Sequence, residues 1–444
     1  MQNNPIQERI DTLYNKWKSA INKKDVKIVR ILSEHDEQDM IASFFKYLLD
    51  VEGQQEEFVF VLNSPFSTLE SFGNELIKEI EEEVNNWNKA TMPDDIPFEK
   101  IEWNPNYTID NKKNHAQLFV SNVNSFAKYL FPAKGTKVCF IILMDEADKK
   151  EAYQWFSSVL DLNIEPHIVF GVTDTKDFKL YDKLADTFHK EVFTLVPNLD
   201  MDGATESLAA MGDMNKPNDK FRMHLVKLMN AVKNRKPNLV DINAKECLTI
   251  ATKEVEKDPN WLAQIVTIYT ILYNDQIGYK DYKKAIFFAS KATEAALLTV
   301  NLLNDDISYR LVGQTHIGLG SLHSLRGNWN DALQNFVVAK EAYIKCEDFL
   351  MQIESFRLCG WAAAEKGDVK LANQYYIEGY QLYPNLSQEI AVNSTFPYIV
   401  KKLMYNNDRE KIISNIQMNK DMTTLFGEDW KEIVDSYGKI NSVA

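Results

Sequence analysis

Cysteine is scarce. Four occur in 444 residues, Cys139, Cys247, Cys346 and Cys359, and no two are spaced as CxxC. That excludes a local zinc knuckle or redox dithiol and predicts buried, reduced thiols in a cytoplasmic protein. The opening MQNNPIQERIDTLYNKW has no apolar h-region, so no secretory signal is expected. No stretch approaches about 18 consecutive apolar residues, so no membrane-spanning helix is expected. Positive charge is also short: 50 Lys and Arg stand against 64 Asp and Glu, for a net charge of -14 and a pI of about 5.1. Nucleic acid is therefore not an expected partner, because phosphate contacts need clustered cations. The acidic run Glu79-Ile80-Glu81-Glu82-Glu83 reads as a solvated helix face.

Motifs for chemistry are missing as well. The seven histidines (His35, His115, His167, His189, His224, His316 and His323) form no HxH or HExxH pattern, so no metal is expected. His316 and His323 share a helix face, where a packing role is expected. The polar cluster His35-Asp36-Glu37 reads first as the N-cap region of a following helix, with an ion site as the alternative. There is no GxSxG elbow and no cysteine with a nearby histidine. No cofactor is predicted.

What is present is hydrophobic patterning. Apolar residues make up 45% of the chain, enough for sizeable cores in two or three domains. Ile6 to Val29 carries apolar residues at helical spacing, and Asp39 to Leu49 predicts a second helix. Then the pattern alternates. Phe58–Leu62 (FVFVL) is an apolar strand. The loop Asn63 to Ser67 follows, then a helix from about Thr68 to Trp87 with Ser67 as N-cap and Glu70 completing a capping box. His115 to Leu130 is helical, Val138 to Met144 a strand, Lys149 to Leu160 a helix, His167 to Val172 a strand, Phe178 to Phe188 a helix and Val192 to Val196 a strand. Strands apolar on both faces and separated by amphipathic helices predict a parallel, doubly wound α/β sheet. Beyond Pro197 the strands stop. Phe221 to Val232 is helical, Arg235-Lys236-Pro237-Asn238 interrupts it, and helical periodicity continues to the end. The expected organisation is N-terminal helices over 1–50, an α/β domain over 51–200, a helical connector over 201–237 and an all-α solenoid over 238–444.

Three segments align: GYKDYKKAIFFASKA (278–292), RGNWNDALQNFVVAKEA (326–342) and KGDVKLANQYYIEGYQLYP (366–384). Their common alanines, Ala285, Ala332 and Ala372, are 47 and 40 residues apart. Leu319-Gly320, Gly327, Ala332, Phe336 and Ala339 in the middle copy resemble the signature of the tetratricopeptide-repeat (TPR) family. So do Phe356, Gly360, Gly367, Ala372, Tyr376, Gly379 and Pro384 in the last copy. The first copy keeps Tyr269, Leu272, Tyr282, Ala285 and Ala292 but has Tyr273 where the others have glycine. The resemblance implies helical hairpins in which small residues let helices approach and aromatics fill the adjoining grooves. Residues 238–258 predict a further degenerate helix pair, and 387 onward predicts capping helices. In that family the first helix of each hairpin lines a concave groove. The implied groove residues here are Asn274, then Gln314, Ser321 and Ser324, then Glu354, Arg357, Trp361 and Glu365. Trp361 and Arg357, four apart, are expected to lie exposed together, as binding hot spots do.

The stretch VCFIILMDEADKK (138–150) reads like the second nucleotide motif of a P-loop ATPase, a buried strand ending in Asp145-Glu146, and a later strand ends in Thr173-Asp174. The ordering over about residues 30 to 200 resembles the nucleotide domain of AAA-like signal-transduction ATPases. It departs from them in having no GxxxxGK[ST] anywhere. The loop after the strand 58–62, LNSPFST, has no glycine or lysine, and Pro65 has no N–H to offer a phosphate. Asp145, Glu146 and Asp174 are thus read as remnants of a nucleotide motif. An unusual metal or phosphate site and a working ATPase remain alternatives. The expected function is a non-enzymatic protein–protein interaction adaptor that grips a peptide or helix of another protein in a TPR-like groove, beside a pseudo-NTPase domain. A dedicated chaperone for a secreted effector or toxin is an alternative, as is an ATP-dependent switch with a non-standard phosphate loop.

Overall fold

The computed structural model describes residues 4–49, 57–89, 100–130, 136–406, 409–410 and 412–437. The expected start of an α/β domain at 51, and residues 408 and 411 of the expected capping stretch, lie outside them. The chain divides into two units, Met1–Leu208 and Ala209–Ala444.

The first helix does not run on to Val29. Helix α1 (Pro5–Ile21) begins with Pro5 at its first turn and the Asn4 side chain accepting from Ile6 N, and it ends at Ile21. A turn through Asp25, at positive φ, then feeds strand β1 (Ile28–Ser33). A 3-10 turn (His35–Glu37) leads into α2 (Gln38–Leu48). There follow β2 (Phe58–Leu62), α3 (Phe72–Lys89), α4 (Gln117–Leu130), β3 (Val138–Ile142), α5 (Lys149–Leu160), β4 (Ile168–Thr175), α6 (Asp182–Thr187), β5 (Val192–Leu195) and α7 (Met201–Ala210). Helix α3 starts later than the capping-box pattern implied, and the Ser67 hydroxyl donates to Glu75 instead.

The described strands form one parallel five-stranded sheet in the order β2-β3-β4-β1-β5. β1, absent from the sequence reading, lies inside the sheet between β4 and β5. Its burial on both faces is the signature of a strand in a doubly wound sheet. One face carries Val29, Ile31, Cys139, Ile141 and Val169 and is covered by α1 and α2. The other carries Ile28, Phe140, Ile142, Phe170 and Val172 and is covered by α3 to α6. Trp17 of α1 seats over Gly171 of β4, where a Cβ would lie 3.1 Å from the indole. The glycine is what lets α1 reach the sheet.

The second unit is all helical. Helices α8 (Pro217–Lys233), α9 (Pro237–Glu254), α10 (Trp261–Gly278), α11 (Tyr282–Leu298), α12 (Asp305–Leu325), α13 (Trp329–Lys345), α14 (Phe349–Glu365) and α15 (Val369–Tyr380) pack as four successive hairpins among the described residues. The array is a TPR-like helical solenoid. Each turn repeats one device. Arg235, Lys280, Gly327 and Gly367 adopt left-handed φ, and the next N–H reaches five residues back: Lys236 N to Ala231 O, Asp281 N to Gln276 O, Asn328 N to His323 O and Asp368 N to Ala363 O. This is the Schellman closure, and it fixes the register at offsets of 45, 47 and 40 residues. The stretch 238–258 is therefore not a degenerate helix pair. It is essentially one helix, α9, whose partner α8 lies in the segment read as a connector.

With that register, Val240, Ala285, Ala332 and Ala372 are equivalent, and all are buried. The next contact, one turn on, alternates bulk between helices. Gly320 faces Phe336 and Gly360 faces Tyr376, and a Cβ on either glycine would come within 2.6 Å and 2.3 Å of the ring. In the first two hairpins the sizes are reversed. Leu228 and Tyr273 are on the first helix, and Ala244 and Ala289 are on the second. Tyr273 is thus the other half of an exchange that keeps the packed volume of the joint. After α15 come α16 (Gln388–Asn393), α17 (Phe396–Met404), α18 (Asn415–Phe426) and α19 (Trp430–Ser436). They bury Phe396, Ile399, Val400, Met422 and Trp430 against the last hairpins.

Candidate functional site

Two surfaces carry the residues that the sequence singled out. The first is the carboxyl edge of the sheet. The chain leaves β1 towards α2 on one face and leaves β3 and β4 towards α5 and α6 on the other, so the adjacent strands β1 and β4 diverge. Ligands of open α/β sheets bind at such a point. A cleft of about 550 Å³ opens there. Ser33, Ile41, Ala42 and Phe45 lie on one side, Met144, Asp145, Glu146, Thr173 and Asp174 on the other, with Phe178 among its lining residues.

The three acidic residues singled out by the sequence, Asp145, Glu146 and Asp174, part company in this cleft. Asp174 is fully committed. Its carboxylate accepts from Arg30 (Nε to Oδ2 2.8 Å, Nη2 to Oδ2 2.6 Å), from the backbone N–H groups of Thr175 and Leu180 at 2.8 Å each, and from Tyr181 N at 3.1 Å. Arg30 Nη2 also meets Asp182 Oδ1 at 2.5 Å. Asp174 is a buried pin for the turn after β4, not a free ligand. Asp145 and Glu146 are exposed, and Glu146 stands at φ 67. Neither caps α5. That role belongs to Asp148, which accepts from Lys150 N and Glu151 N at 2.8 Å while Glu151 returns a bond.

The place of a phosphate loop, after the first strand of the sheet, is the turn Glu34-His35-Asp36-Glu37, not the loop after β2. In both, carboxylates of the chain take up backbone N–H groups. Glu37 accepts from Glu34 N at 2.9 Å and Leu199 N at 2.6 Å. Glu79 accepts from Asn63 N at 2.7 Å and Ser64 N at 3.1 Å. Three of the N–H groups that an anion could use in these turns are thus held by the chain's own carboxylates. Arg30 escaped the sequence reading because the expected helix ran into the start of β1 and no strand was assigned there. The β-branched run Ile28-Val29-Arg30-Ile31 after the polar stretch Asn22 to Asp25 was the available signal.

The second surface is the face of the first helices α10, α12 and α14. The 47- and 40-residue offsets make Asn274, Ser321 and Trp361 equivalent, and likewise Gln314 and Glu354. Asn274, Gln314 and Glu365 are exposed and Ser321 is half-buried. Ser324 is a correction. It is buried and donates to Gly320 O, and its neighbour Leu325, 64% exposed, holds the position equivalent to Glu365. A one-residue error in register turns a helical position by about 100°, from groove to core. Arg357 and Trp361 are not an exposed pair either. Arg357 makes two bonds to Glu354 (2.7 and 2.6 Å) and lies over the Tyr398 ring of α17. Trp361 is half-buried, edge-on to Trp329 at 5.0 Å. The capping helix partly covers this third of the face.

The remaining reactive groups are quiet. All four cysteines are free and buried, and burial pushes the thiols of Cys247 and Cys359 up to about 12. His224 and His316 occupy equivalent positions and pair with equivalent asparagines, Asn243 at 3.1 Å and Asn335 at 2.8 Å. They act as interhelical clamps. Among the described residues no cluster of three or more His, Cys, Asp or Glu is arranged to hold a metal, and no helix is long and apolar enough to cross a membrane.

No protein-family model matches the sequence, and no curated protein is similar to it. A solved structure described as "Crystal Structure of the Apo Form of RapI" aligns over 99% of this chain and 99% of that one, at a TM-score of 0.33 and 10% identity. A likeness that loose carries no inference about this chain.

Proposed function

We propose that this protein is a non-enzymatic interaction scaffold that holds a segment of another protein along the first-helix face of its solenoid. The observation that carries the reading is the equivalence of Asn274, Ser321 and Trp361 in three successive hairpins. One face presents small polar residues on α10 and α12 and ends at a wall of Trp361, Arg357 and Tyr398. A repeated surface of this kind suits an extended or helical segment that spans several repeats. The α/β unit adds a binding surface without hydrolysis, because the backbone donors after β1 and β2 are held by Glu37 and Glu79. An adaptor and a chaperone dedicated to one client would use the same face.

The test is to isolate the tagged chain from its native cells with Asn274→Arg and Ser321→Arg combined. Asn274 is exposed and Ser321 half-buried, so melting is measured alongside and should fall only slightly. A partner that co-isolates with wild type should be lost, with affinity down at least about tenfold, since a bulky charge displaces a close contact. A partner held equally well by the variant would overturn the reading.

A further inference from the structure

The cleft at the carboxyl edge of the sheet is left without a role by the scaffold reading, and its chemistry is specific. Its volume, about 550 Å³, is that of a small-molecule site. One side is apolar, from Ile41 and Phe45 of α2, with Met144 facing them after β3. Phe178 is 52% exposed. The acidic groups Asp145 and Glu146 are both exposed, and among the described residues neither forms an ion pair or hydrogen bond through its side chain. Of the backbone donors in the turns after β1 and β2, Glu34 N is held by Glu37 and Asn63 N by Glu79.

We propose that this cleft binds a small organic cation, an ammonium or guanidinium group carried on an apolar body. The body fills the space beside Ile41, Phe45 and Met144, and the charge sits between Asp145 and Glu146. The protein already displays this preference once. Lys149 Nζ rests 5.2 Å above the Phe178 ring, a cation on an aromatic face. An anion of the same shape would meet two carboxylates that have no cation paired with them among the described residues. The proposal does not depend on the solenoid, and the groove variants above leave this cleft untouched.

The experiment compares 2-phenylethylamine with 3-phenylpropionate, near-equal in shape and opposite in charge, by calorimetric titration and thermal shift of the full chain. The amine should bind and raise the melting temperature, and the acid should do neither. Asp145→Asn with Glu146→Gln, both at exposed positions, should weaken the amine at least about tenfold. Ala42→Trp, which fills the cleft from α2, should abolish binding with the fold intact by circular dichroism. Lys149→Gln should tighten it, by freeing the Phe178 ring and removing a like charge. Equal binding of the acid, no binding at millimolar amine, or amine binding that survives Ala42→Trp would each overturn the proposal.

Discussion

Lys280 and Arg235 hold left-handed backbone at the hairpin turns where Gly327 and Gly367 stand in the later copies. A side chain with a Cβ is strained there. Lys280→Gly should therefore stabilise by about 0.5–1 kcal/mol, net of glycine's greater freedom in the unfolded chain, and Gly327→Ala should destabilise by about 1 kcal/mol. Thermal unfolding of the two variants checks both signs, and a Lys280→Gly variant that melts lower would refute the shared turn geometry. His316 supplies a pH dependence. Burial holds its pKa below the ordinary value, against the opposing pull of the Asn335 bond. The unfolded chain then takes up a proton that the folded chain refuses. Stability is complete above the ordinary histidine pKa, about 6.5, and falls as pH drops through that value towards the depressed one. His316→Phe should flatten this part of the melting-versus-pH curve. Phe356 and Tyr269 fill the equivalent positions, so the hairpin accepts the ring.

Between elements, the first two hairpins differ from the last two by an exchange of bulk. Gly320→Tyr alone would drive a ring into Phe336 and should cost roughly 1–3 kcal/mol or more. Gly320→Tyr with Phe336→Ala rebuilds the Tyr273–Ala289 joint of the first TPR-like copy and should recover most of that loss. The two costs should then be strongly non-additive in a double-mutant cycle, and simple additivity would show that the joint is not a volume exchange. The buried contact between β1 and β4 behaves differently. Arg30→Ala leaves Asp174 charged at a position 1% exposed, and a loss of about 3–5 kcal/mol is expected from such an orphaned charge. Arg30→Met with Asp174→Asn, which removes the buried charge and keeps an acceptor for the N–H groups of the turn, should be milder, as measured by thermal unfolding of the two variants.

For the molecule as a whole, the α/β unit is a doubly wound parallel sheet with a cleft at its carboxyl edge, and carboxylates of the chain hold backbone donors in the turns after β1 and β2. ATP with Mg²⁺ should leave the melting temperature unchanged. A ligand at about 100-fold over its Kd would add about 2.7 kcal/mol and be plain in a thermal shift. An ATP-dependent rise that disappears in Asp145→Ala would show that nucleotide does bind at this edge.

The sequence by itself determined the class of both halves. Strands apolar on both faces, such as Val138–Ile142, admit only a covered parallel sheet. The alanine and glycine positions Ala332, Gly320 and Gly360 were legible as helix contacts because close packing restricts the residue type. It did not reveal β1, because Ile10, Leu13, Trp17 and Ile21 set a helical period into which Val29 also falls, and a short buried run has no period of its own. It did not reveal the first hairpin, where Leu228 and Ala244 carry the joint with bulk and space reversed and no glycine marks the turn. Ser324, Arg357 and Trp361 were placed in the groove by register and residue type. Their surroundings depend on Gly320 O, Glu354, Tyr398 and Trp329, partners that only the folded chain brings together. The cleft at the sheet edge is tertiary in the same sense, since residues 41, 145 and 178 become neighbours only when the strands align.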